Sequence, residues 1–247
     1  MAKINKLQKS GQTIYPLTIP EAVIDSVTGK TQKQVNTEFK AIQDGQLKLK
    51  NEVVNGDFRD GISNWDKVGG TISYTGGGLE YTITNLNWTS RVATFQDFAY
   101  QADSKYYIKT SISSSKTGLV VVALRNVTLA DFTGNIKIGT HNGSGLQVFS
   151  AITTSDQTYS SRLGLGIRQD YLLMNDIYKI NSVVIIDITN AFGKGNEPTK
   201  NEMDELIKIL PNGYFEGDLQ NKYLHIWQLK LIRQNRNAIV ALGGTII

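Results

Sequence analysis

Four aromatic residues with polar neighbours carry the first chemistry readable in this chain: Trp65, Tyr81, Trp88 and Tyr100, with Arg91 and Gln96 nearby. Aromatic rings cover the apolar faces of a pyranose, and amide or guanidinium groups fix its hydroxyls, so such residues can hold a sugar. Trp88 lies in the polar, turn-like stretch Asn85-Leu86-Asn87-Trp88-Thr89-Ser90, where an exposed Trp points to a ligand. Tyr81, Trp88, Arg91 and Tyr100 are therefore the expected glycan-binding residues.

No residue set nominates a reaction. With Cys 0 there is no thiolate nucleophile, disulfide or thiolate metal site, and His141 and His225 fall short of a three-His zinc site. His141 falls in the turn Thr140-His141-Asn142-Gly143-Ser144, and no Ser or Asp is singled out as its partner. Glu80 and Glu216 are candidate glycosidase carboxylates whose separation sequence spacing does not set. Gly164-Leu165-Gly166 lacks the third glycine and the following helix of a dinucleotide loop, and reads as a strand. The expectation is a protein that is not an enzyme.

Charge and hydropathy narrow the partners. The net charge of +4 comes mostly from residues 1–54, with eight Lys against five acidic residues, spread along a segment that reads as a solvated helix face. A nucleic-acid binder concentrates basic residues beside stacking aromatics, so no nucleic acid is expected. The longest apolar run, Leu119 to Leu124, is a strand's length, and no membrane span is expected. Met1-Ala2-Lys3-Ile4-Asn5-Lys6 has no apolar stretch behind it, so no secretory signal is read there.

The elements that must position these residues fall into three regimes. Pro16 and Pro20 make residues 1–30 an extended arm. Thr31 and Gln34 match a helix capping box, and Val35, Phe39, Ile42, Leu49 and Val53 follow at alternating four-three spacing, broken only by Gln46. That predicts a coiled-coil helix over 31–54, covered by copies of itself or by the following domain. Its heptads suit two or three strands.

Residues 55–190 read as all-β. Strand-like runs at 71–74, 79–83, 91–95, 105–112, 119–125, 145–149, 161–167 and 182–188 predict a jelly-roll sandwich, with Gly76-Gly77-Gly78 as a hairpin turn. Residues 191–247 close it. Thr199 and Glu202 form a second capping box, and Met203, Leu206, Ile207 and Leu210 make one helix face that Pro211 ends. Tyr223–Ile232 and Ala238–Leu242 are expected as a terminal hairpin. The predicted fold is thus mainly β: an extended arm, a short coiled-coil helix, then a jelly-roll β-sandwich with a small C-terminal helix and hairpin.

Three stretches resemble known families. Asn55-Gly56-Asp57-Phe58, then Gly61-Ile62-Ser63-Asn64-Trp65, resembles the opening of jelly-roll carbohydrate-binding modules. Ile188 to Thr199, containing Phe192-Gly193-Lys194-Gly195-Asn196-Glu197-Pro198, with Tyr214-Phe215-Glu216-Gly217 after a short helix, looks like a motif that closes such sandwiches in phage tail and fibre proteins. Met1–Val35, with Lys9-Ser10-Gly11, Ile14-Tyr15-Pro16 and Ala22-Val23-Ile24-Asp25, is similar to N-termini of fibre-type proteins from phages of gut Bacteroidales, crAss-like phages included. Residues 66–187 match only in strand rhythm.

The resemblance implies a homotrimeric virion fibre, made in the bacterial cytoplasm. Ile14, Tyr15, Pro16, Leu17 and Ile19 would dock on capsid or tail proteins; Val35, Phe39, Ile42, Leu49 and Val53 would join the copies. The head would attach to host-surface glycan. It further implies that Trp65 packs in the core, and that a structural calcium, the one cofactor considered, sits near Asp57, Asp60 and Asp187. A capsid-anchored head fibre and a free carbohydrate-binding module are the alternatives.

Overall fold

The computed structural model describes residues 7–9, 12–14, 47–84, 92–97, 101–124, 136–154, 162–168 and 175–219, with Tyr223, Leu224 and Trp227. The chain divides into two units, Met1–Leu47 with Leu224–Ile247, and Lys48–Tyr223.

In the first unit β1 (Leu7–Lys9) and β2 (Gln12–Ile14) pair antiparallel, with Leu7 opposite Ile14. Leu47, Leu224 and Trp227 are buried. Tyr223, Leu224 and Trp227 are helical, which corrects the strand expected to begin at Tyr223, while residues 228–232 lie outside the described residues. Their spacing, i, i+1 and i+4, is that of one helix face and not of alternating strand faces. Tyr15, Pro16, Leu17, Ile19, Val35, Phe39, Ile42 and the segment 238–242 lie outside the described residues.

The second unit is built on two five-stranded antiparallel sheets. The first has the order β10-β7-β12-β5-β4, from β4 (Gly70–Tyr74), β5 (Leu79–Ile83), β7 (Lys105–Ser113), β10 (Leu146–Thr154) and β12 (Ile177–Asp187). The second has the order β3-β6-β11-β8-β9, from β3 (Asp66–Val68), β6 (Val92–Asp97), β8 (Thr117–Leu124), β9 (Ile136–Asn142) and β11 (Arg162–Arg168). Strands β5 to β12 in the orders β10-β7-β12-β5 and β6-β11-β8-β9 are a jelly roll, extended at one edge of each sheet by β4 and β3. The β4–β5 hairpin turns through Gly76 and Gly77, both at positive φ, as a two-residue turn with that twist requires.

Alternation sets the core. Leu79, Tyr81 and Ile83 of β5, Tyr106, Ile108 and Ile112 of β7, and Tyr178, Ile180, Val183 and Ile185 of β12 pack together with Val53, Phe58 and Trp65. In β12 the inward positions step from 178 and 180 to 183 and 185, because the ladder register shifts between Ile180 and Ser182. That bulge keeps Ser182 out of the apolar layer. Tyr178 stacks on Tyr81, centroids 4.9 Å apart, and its buried hydroxyl finds no hydrogen-bond partner among the described residues.

The first sheet is covered on its other face too. Tyr107, Val184 and Ile186 are buried there, and the Tyr107 hydroxyl donates to Asp204 at 2.7 Å. Asp204 belongs to α2 (Lys200–Lys208), whose Met203, Leu206 and Ile207 are buried as the sequence predicts. Thr199 and Glu202 cap that helix reciprocally, a device contributing about 1 kcal/mol.

The expected coil does not reach residue 54. Residues 47–54 are not helical, and their amides bond far along the chain: Asn51 N–H to Gly217 O at 2.9 Å, Glu52 N–H to Ile185 O at 2.8 Å. The Asn51 side chain reinforces this, accepting from Ile185 N and donating to Phe215 O. Leu49 and Val53 are fully buried within the sandwich unit and are not seam residues between copies.

Candidate functional site

The two stretches that open and close the sandwich meet. Asn55 and Phe58 adopt positive φ, and the Asn55 side chain donates to Gly61 O and Ser63 O while accepting from Asp60 N. Asn tolerates this backbone region because its short amide bonds locally. Gly56 donates its N–H to the Tyr214 hydroxyl at 2.8 Å, and that hydroxyl donates to Glu216. Glu216 also accepts from Asn55 N at 3.0 Å. A Cβ at Gly56 would lie 2.4 Å from Val183 O, so only glycine fits.

The segment 187–199 is equally tied down. Asp187 caps α1 (Ile188–Phe192), accepting from Asn190 N at 2.8 Å. The Thr189 hydroxyl accepts from Lys105 N at 2.8 Å and donates to Glu197 at 2.9 Å. Glu197, 3% exposed, also takes Lys105 Nζ at 3.2 Å and Gly195 N at 2.8 Å. Desolvation raises its pKa, but these bonds outweigh it and hold the carboxyl below its ordinary range.

These bonds shape an open cleft of about 490 Å³ where β7 begins and β12 ends, lined by Glu52, Gln101, Ser104, Tyr106, Asp187, Thr189 and Asn190. Every lining residue is polar. The Tyr106 hydroxyl accepts from Gln101 N at 2.7 Å, and burial, with Asp187 adding, pushes its pKa up to about 12. Asp187 is an expected calcium ligand, and Thr189 and Asn190 belong to the stretch Ile188 to Thr199 read from the sequence. Glu52, Gln101, Ser104 and Tyr106 come from two distant stretches, and polar residues at such separations carry no pattern.

The expected residues are placed as follows. Trp88, Arg91 and Tyr100 lie outside the described residues. Tyr81 does not face a ligand: it is fully buried and its ring is stacked on Tyr178, so the glycan role expected for it is corrected. The alternation Leu79, Tyr81, Ile83 was the signal. Gln96 is buried, its amide accepting from Val54 N at 3.0 Å and donating to Val54 O. Trp65 is in the core, donating Nε1–H to Asn55 O at 3.1 Å beside the Phe58 ring.

Asp57, Asp60 and Asp187 are not drawn into one site. Asp57 is engaged by Arg59 Nε and Nη2, and Asp187 by the α1 cap. Among the described residues no three His, Cys, Asp or Glu gather as metal ligands. These carboxylates do not fit a shared calcium. His141 is no base: it is fully buried, Nδ1 accepts from Gly143 N at 3.0 Å, and Nε2 therefore carries the proton toward Ile112 O and Gly145 O. Glu80 accepts from Thr75 Oγ1 while Glu216 serves the closure.

No family model and no curated protein sequence matches the chain. Among solved structures it is similar to the CBM22-2 xylan-binding domain of Paenibacillus barcinonensis Xyn10C, at 13% identity and TM-score 0.40, over 53% of this chain and 97% of that one. It is similar to the family 29 carbohydrate-binding module CBM29_1 of Piromyces equi, at 13% identity and TM-score 0.35, over 50% of this chain and 80% of that one. A third similarity is to the enzymatically active domain of bacteriophage CBA120 tailspike protein 4, at 13% identity and TM-score 0.36, over 55% of this chain and 21% of that one.

Proposed function

We propose that the chain is a structural fibre protein of a phage particle, homotrimeric, anchored by its N-terminal arm and presenting the jelly-roll unit to host-surface glycan. Its work is adhesive, without a catalytic step. The observation that carries this reading is the Gly56–Tyr214 closure. It joins the stretch resembling a carbohydrate-binding opening to the stretch resembling the end of phage sandwich modules, so the two likenesses belong to one folded device. In this reading Val35, Phe39 and Ile42 join the copies, and Ile14, Tyr15, Pro16, Leu17 and Ile19 meet the particle. Trp88, Arg91 and Tyr100 supply ligand contacts.

Light scattering on the full chain tests the assembly, together with binding of the labelled protein to host cells. A mass of three chains, falling to one in Phe39→Asp/Ile42→Asp, is the expected result. A monomer that still binds glycan would replace the fibre with a free binding module. A trimer that binds no cell or glycan would remove the adhesive role.

A further inference from the structure

We propose that the cleft between the start of β7 and the end of β12 holds an uncharged glycan unit, gripped by the Gln101 and Asn190 carboxamides and the Glu52 and Asp187 carboxylates. This rests on the adhesive reading above and gives it a place and a ligand class.

The lining suits a sugar: hydroxyl, carboxamide and carboxylate heads alternate with the aliphatic stems that carry them, as a sugar ring alternates hydroxyls with C–H faces, and the Tyr106 ring is buried behind them. About 490 Å³ lies within the roughly 300–1,000 Å³ range of small-molecule sites. Gln101 and Asn190 are exposed, and their side-chain amides make no hydrogen bond to a described residue. Each carboxamide gives and takes hydrogen bonds, and each carboxylate takes several, which together match a row of hydroxyls that do both.

Charge sets the class more narrowly. Glu52 and Asp187 bring two carboxylates and the lining brings no cation. Three lysines of neighbouring segments are paired: Lys50 with Glu52 at 2.7 Å, Lys105 with Glu197 at 3.2 Å, and Lys194 with Asp103 at 3.7 Å. Lys50 offsets the Glu52 charge, and Asp187, which no lysine among the described residues pairs, meets an entering uronate or other acidic sugar as like charge. Asp187 is held by the helix cap, so the grip is preorganised.

The test uses the full chain on immobilised neutral oligosaccharides of glucose, galactose and mannose and on their uronic-acid counterparts, with host-cell binding measured in parallel. Wild type should retain at least one neutral member and none of the acidic ones. Gln101→Ala and Asn190→Ala should each weaken that binding by about three- to tenfold, as loss of a neutral hydrogen bond does. Glu52→Gln should raise uronate retention. Unchanged melting temperatures would show that the variants fold. Neutral-glycan or cell binding unmoved by both alanine variants, or uronates held as tightly as neutral sugars, would overturn the cleft and leave the adhesive reading standing. No binding to panel or cells by wild type would overturn both.

Discussion

The Tyr214 hydroxyl accepts the Gly56 amide proton at 2.8 Å across 158 residues of chain, and hands its own proton to Glu216. Tyr214→Phe removes the acceptor and leaves the Gly56 N–H buried, while Glu216 loses a donor. The expected cost is about 1–3 kcal/mol, read as a lowered midpoint in urea with an unchanged slope. A midpoint equal to wild type would show that the closure adds no stability.

Tyr178 is expected to behave in the opposite way. Its hydroxyl is buried with no hydrogen-bond partner among the described residues, and burial raises its pKa well above the ordinary phenol value. Tyr178→Phe keeps the ring on Tyr81 and removes the unpaid desolvation, so the variant should gain about 1 kcal/mol. Thermal melts check this; a loss of stability would mean the hydroxyl is satisfied in solution.

Leu49 and Val53 separate packing from assembly. Leu49→Ala and Val53→Ala should each cost about 2–4 kcal/mol through the cavity left, and leave the mass of the assembly unchanged. Light scattering and urea titration on the same samples read the two effects independently. A change of mass with intact stability would restore these residues to an interface between copies.

The pH response follows from groups shifted in opposite directions. Desolvation raises Glu197 and Asp204, but the bonds from Thr189 and Lys105 to the first, and from Lys200 and Tyr107 to the second, leave both below their ordinary values of 4.5 and 3.8. Their stabilisation is full above about pH 5 and drains as pH falls through the folded values. Tyr106, raised by burial to about 12 from 10.0, stabilises fully below pH 10 and loses that contribution as pH rises toward 12. Melting temperature against pH should therefore form a plateau falling at both ends, and Glu197→Gln should shorten the acid fall.

What the sequence carried was periodicity. The strand run at 79–83, the helical spacing of Met203, Leu206 and Ile207, and the capping pair Thr199 and Glu202 appear as expected, whereas Leu210 lies past the helix end at Lys208 and Tyr81 is buried by the alternation it shares with Leu79 and Ile83. The strand β9 does not show in the sequence because Thr140 to Ser144, with His141, reads as a turn. Gly139 is there because a Cβ would lie 2.1 Å from the Phe149 ring, and His141 because its two nitrogens bond backbone. Leu49 and Val53 fit a heptad, yet Asn51 between them sends its side chain to Ile185 and Phe215, a tertiary pull that spacing does not encode. The cleft was hidden because its residues meet only after the jelly roll closes.

The bond from Leu219 N to Leu49 O at 2.7 Å, beside that from Asn51 N to Gly217 O, puts the strand that enters the sandwich unit next to the one that leaves it. The two ends of the unit are thus joined at residues 49–51 and 217–219, and the Glu52 N–H to Ile185 O bond ties the entering end to β12. A different module whose ends adjoin in the same way could replace residues 49–219 and leave the sequence of the flanking segments unchanged.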